Sequence, residues 1–107
     1  MVPHYYNNIL SRTETATVDG DGATLVTPTS PVNRGGIQVT NADETMKIGL
    51  YAQKVSAAAP VLTSIDGCMI VSPQTTVCLL YSKDLEVYAI NDSAAATTSL
   101  VVVEELG

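Results

Sequence analysis

A chain of 107 residues with 46% hydrophobic content has room for one core and none for a second domain. Eleven acids against five bases give a net charge of −6 and a pI near 4.3, a balance that opposes phosphate backbones and anionic bilayers, so neither nucleic acid nor membrane is an expected partner. Phe and Trp are absent, which leaves Val, Ile, Leu, Ala and Met to fill the core. These bury less area each, and such a domain gains stability by burying surface against copies of itself or a larger partner.

The opening stretch, MVPHYYNNILSR, has no acid. It also lacks the basic start and apolar run of a signal peptide, so the expectation is synthesis in a cytoplasm without export. Val2, Tyr5, Tyr6, Ile9 and Leu10 make it too apolar for a solvated tail, and Tyr and Arg are enriched where proteins meet. Residues 1–12 therefore read as a contact arm, with His4, Tyr5, Tyr6, Asn7, Ile9, Leu10 and Arg12 as candidate contacts. A disordered terminus and a first strand of the domain are the other readings.

Residues 13–107 read as one β domain. TETATV alternates toward DGDG (Asp19 to Gly22), and ATLVT follows, which predicts a hairpin. After the linker PTSPVN, GIQVT puts Ile37 and Val39 on one face and is closed by the turn residues NADE. MKIGLYA sets Met46, Ile48 and Leu50 against Lys47, Gly49 and Tyr51, a half-buried strand. QKVSAAAP reads as loop, because Ser56 and Pro60 limit any helix. PVLTS and CMIVS read as brief strands about the turn IDG, with Ser72-Pro73 ending the second. QTTVCLLYS and LEVYAIN predict a hairpin through Lys83 and Asp84, buried on both faces. The polar NDSAAATT leads to SLVVVEE, a closing strand. About eight short antiparallel strands predict an all-β fold, a single small β-sandwich or β-barrel of jelly-roll-like type.

Candidate chemistry is sparse. A Ser-His-Asp triad would have to use His4, the sole histidine, and a chain terminus positions a base poorly, so no enzyme is expected. The acid pairs Asp19/Asp21, Asp43/Glu44 and Glu104/Glu105 fall in turns or at a strand end and read as solvated. DGDG lacks the remaining positions of a calcium loop, and GDGATL lacks the third glycine and the Lys-Ser/Thr end of a phosphate cradle. Cys68 and Cys78 lack zinc or CxxC spacing and read as reduced, buried thiols, with a cross-strand disulfide as the alternative. No metal or cofactor is expected. Asn91-Asp92-Ser93 has the form of a glycosylation sequon and reads as a turn. Tyr51, Tyr81 and Tyr88 could offer rings to a sugar, Tyr81 and Tyr88 being neighbours if they flank one hairpin; packing in a core or interface is the reading the composition favours.

From Asn33 onward, the order of NRGGIQVTN, MKIGLYA, VSPQTTVCLLYS, VYAI and VVVEE resembles small structural proteins of tailed bacteriophage virions, some of which are capsid decoration, or cement, proteins. The likeness covers about two thirds of the chain and rests on strand spacings. It departs from that pattern at Gln74, where a glycine would follow Pro73. It implies a sandwich or barrel, often a homotrimer, that sits on the capsid exterior, binds the major capsid protein across capsomer junctions and reinforces the head. Arg34, beside two glycines at a strand edge, becomes a second candidate contact with capsid or subunit, a structural hydrogen bond to a loop being the alternative. A carbohydrate- or receptor-binding module of a phage tail or fibre is the competing function.

Overall fold

The computed structural model describes residues 12–28, 34–93 and 97–106. Eight strands run through them: β1 (Arg12–Val18), β2 (Thr24–Leu25), β3 (Gly36–Asn41), β4 (Ile48–Lys54), β5 (Met69–Val71), β6 (Thr75–Leu79), β7 (Leu85–Asn91) and β8 (Ser99–Leu106). They form two four-stranded sheets, β1-β8-β3-β6 and β2-β7-β4-β5, here called sheet A and sheet B. Every pairing is antiparallel.

The pairing follows a simple rule. β1 joins β8, β2 joins β7, β3 joins β6 and β4 joins β5, as in one long hairpin whose tip lies between β4 and β5. That hairpin is wrapped so that β3 also meets β8 and β4 also meets β7. The result is a jelly roll of two stacked sheets. The sheets stay separate, so the sandwich forms and a closed barrel does not among the described residues.

Alternation along the strands decides which side chains go inside. Ile37 and Val39 of β3, Val101 and Val103 of β8, Ile48 and Leu50 of β4, and Val87 and Ala89 of β7 point between the sheets and are buried, joined by Val18, Val26 and Val71. GIQVT and MKIGLYA thus become strands with the faces their patterns indicate, and LEVYAIN and SLVVVEE become strands as well, each with one face turned to the core. With no aromatic in the buried core cluster, β-branched residues dominate it.

The expected hairpins do not form. Every connection except that from β4 to β5 passes from one sheet to the other, so β1 and β2 are not partners across DGDG, nor are β6 and β7 across Lys83 and Asp84. A turn sequence permits reversal, but burying both sheets' apolar faces requires the chain to step over the edge instead. β6 is also an edge strand rather than a doubly buried one: Val77 and Leu79 pack on the core, while Cys78 is exposed and Leu80 is 91% exposed.

PVLTS is not a strand. Residues 60–68 form a loop that presses on the outward face of sheet B, where a side chain at Gly49 would lie 2.8 Å from Cys68 Cβ and 3.1 Å from Ile65 Cβ. Ile90, opposite Gly49 on that face, is fully buried although it lies outside the core cluster. The IDG turn closes as expected, with Cys68 N–H donating to Ile65 C=O at 3.1 Å and Gly67 at φ +79°.

Two buried asparagines fix one end of the sandwich. Asn41 donates from Nδ2 to Met46 C=O (2.8 Å) and Val71 C=O (3.1 Å). Asn91 donates to Thr97 C=O and to Ser99 Oγ (3.1 Å), while its Oδ1 accepts from the Ser93 N–H and hydroxyl. The Asn91 sequon is therefore a turn whose amide is enclosed.

Candidate functional site

Arg34 is the sequence-selected residue that the structure places most firmly. It is buried, and its guanidinium is spent internally: Nη1 on Glu105 Oε2 at 3.0 Å, Nη2 on Leu85 C=O at 2.6 Å and Nε on Tyr81 C=O at 3.3 Å. Both members of the ion pair have side chains about fully enclosed, 2% and 1% exposed. Of the two readings given to Arg34, the structural hydrogen bond to a loop is the one observed, and each guanidinium nitrogen is engaged within the chain. Glu105, expected to be solvated, is instead the buried counterion, and its Oε1 has no hydrogen-bond partner among the described residues. The signal was in SLVVVEE: Ser99, Val101 and Val103 alternate inward, which carries Glu105 inward as well.

The outward face of sheet A is built from alternate positions of its four strands. By register it has Thr15, Val102, Thr40 and Thr76 in one row and Thr13, Glu104, Gln38 and Cys78 in the next, with Thr17 and Leu100 beside them. Thr40 and Thr76 share a hydroxyl hydrogen bond of 2.7 Å. Leu100 is 47% exposed, and Glu104 is the one charge among these ten positions. The remaining acids sit elsewhere. Asp19, Asp21, Asp43, Glu44 and Asp92 lie in the loops at the asparagine-fixed end, accompanied by Lys47, as the bonds Asn91 N–H to Asp19 C=O and Asp92 N–H to Lys47 C=O show. Asp19 and Asp43 act there as turn caps, accepting from the backbone N–H of Asp21 (3.0 Å) and of Thr45 (3.0 Å) and Met46 (2.6 Å). Those donors hold the Asp43 carboxyl below the usual aspartate range.

Sheet B faces outward differently. Tyr51 of β4 is directly opposite Tyr88 of β7, which is opposite Leu25 of β2. Tyr51 is 39% and Leu25 38% exposed. Tyr81 is not a neighbour of Tyr88 on this face, since it packs against the core beside the Arg34 clamp.

Both cysteines are free. Cys68 is half-buried and Cys78 exposed, which corrects the expectation that both are core residues; burial, and then the Asp66 charge, push the Cys68 thiol up. No group of three or more His, Cys, Asp or Glu suited to a metal occurs among the described residues, and no helix there is long and apolar enough to cross a membrane. His4, Tyr5, Tyr6, Asn7, Ile9 and Leu10 lie outside the described residues. Arg12 opens β1, its backbone opposite Glu105. Compared with known proteins, the chain matches no family model, no curated protein and no solved structure.

Proposed function

We propose that the chain is a capsid decoration protein of a tailed bacteriophage, a homotrimer that binds the outside of the major capsid shell, bridges neighbouring capsomers and works by adhesion, without catalysis. The observation that carries this reading is the outward face of sheet A, a broad and almost uncharged surface on a strongly acidic molecule whose other acids are mostly in loops. Desolvating Thr, Val and Leu side chains costs far less than desolvating carboxylates, so this is the face best suited to lie against another protein. The jelly-roll order supports it by analogy only, since that architecture serves viral capsids and lectins alike.

Residues 1–11 precede β1, an edge strand of the same sheet. Extended, they reach about 36 Å, enough to cross to a neighbouring subunit or to the shell. Each bridging copy adds interfaces that must break before capsomers part, and the effect multiplies over a particle.

Cys78, on the proposed face, is a native reporter. Capsids of the same virion, incubated with the protein, should co-sediment with it and shield Cys78 from a thiol reagent that modifies it in the free state. Absence of co-sedimentation, or binding that leaves Cys78 equally reactive, would overturn the assignment of that face.

A further inference from the structure

We propose that the outward face of sheet B is a glycan-binding platform that takes a pyranose ring on the row Leu25, Tyr88 and Tyr51. The inference stands apart from the capsid reading, because it uses the opposite face of the sandwich.

Three observations carry it. The first is the row itself: register puts Tyr51 opposite Tyr88 and Leu25 opposite Tyr88 on three adjacent strands. Side chains so paired stand about 5 Å apart at Cβ and share a surface. Strand-borne rings lose little freedom on binding, and their faces suit the axial C–H groups of a sugar.

The second is the neighbouring pair on the same face, Gln53 opposite Glu86. Gln53 Nε2 already donates to Ala58 C=O at 2.9 Å and Ala57 C=O at 3.4 Å, so the amide is held and its Oε1 remains an acceptor. Glu86 adds carboxylate oxygens. An amide and a carboxylate beside aromatic rings match a ligand that is apolar on its face and hydroxylated at its edge.

The third is the wall on the other side. The loop at Ile65 and Cys68 stands on Gly49, two residues from Tyr51 on the same face, so the row has that loop on one side and the polar pair on the other. A side chain at position 49 would lift that wall.

The test uses the full chain on an array of pyranose glycans, followed by amide chemical-shift mapping with any glycan retained. Binding is expected at millimolar to micromolar strength, with shifts confined to Leu25, Tyr51, Gln53, Glu86 and Tyr88. Tyr51→Ala should weaken it about tenfold or more, Tyr51→Phe should keep most of it, and Glu86→Gln should cost less than Tyr51→Ala. Circular dichroism checks that each variant is folded; should Tyr51→Ala misfold, Glu86→Gln and the shift map decide. Retention of no glycan, binding indifferent to these substitutions, or shifts elsewhere would overturn the proposal. So would dissociation of an oligomer by Tyr51→Ala without any glycan bound, which would make the row a subunit contact.

Discussion

At the scale of single residues, the buried pair Arg34 and Glu105 governs the end of the sandwich where β8 finishes. Neither charge can be removed alone without stranding the other in a dry site. Arg34→Ala should therefore destabilise the fold by about 3–5 kcal/mol, measured by urea unfolding. The double change Arg34→Met with Glu105→Leu should recover part of that loss, because it removes both charges together while still leaving the Leu85 and Tyr81 carbonyls without their Arg34 donors. The two thiols offer a second residue-level check. Cys78 is exposed, whereas Cys68 is half-buried with its thiol pushed up, so at neutral pH iodoacetamide should modify Cys78 first and Cys68 more slowly. Equal rates would mean that the loop over Gly49 does not stay down.

Among the elements, the β5 to β6 connection holds the departure noted in the sequence. Gln74 follows Pro73 and adopts φ +55°, the left-handed region where a Cβ is costly and glycine is at ease. Gln74→Gly should raise stability by up to about 1 kcal/mol, the strain relieved exceeding the extra freedom given to the unfolded chain; a lower melting temperature would contradict this. The β3 to β4 turn gives a pH dependence. Asp43 has its pKa lowered in the fold, first by the Thr45 N–H and next by that of Met46. Its contribution is thus present above the ordinary aspartate value and is lost as pH falls through the folded value, in the window below about pH 4. Asp43→Asn should flatten that part of the stability profile. Such turns were legible in the sequence, as were the inward faces of β3 and β4, because alternation and turn chemistry are local. Strand partners were not: the same DG dipeptide serves a hairpin or a step between sheets, and burial of the whole chain decides between them. Tyr51 and Tyr88 likewise meet only once β4 and β7 are known to pair, and Arg34 finds Glu105 across 71 positions.

For the whole molecule, the two outward faces differ in character. Sheet A is nearly uncharged and continuous with the chain leading into β1, while sheet B carries the tyrosine row. Under the decoration reading, a chain beginning at Thr13 keeps all but the first residue of the eight strands and should fold, yet associate with itself or with capsids far less than the full chain. Analytical ultracentrifugation would register the change, and undiminished assembly would assign residues 1–12 no part in it. The near absence of charge on sheet A was hidden in the sequence for a plain reason: its outward positions come from four strands, β1, β3, β6 and β8, and no contiguous window contains them.

The end-to-end matching of strands also has a temporal side. β8, the last of the eight strands in chain order, lies between β1 and β3, so until it has been made β1 lacks its partner and sheet A is incomplete. The closure of such distant partners should place the domain among slow folders, on the order of milliseconds to seconds. Until sheet A closes, Leu80, Ile70 and the strand edges are open to stray pairing, so the newborn chain should depend on chaperones more than the folded domain does.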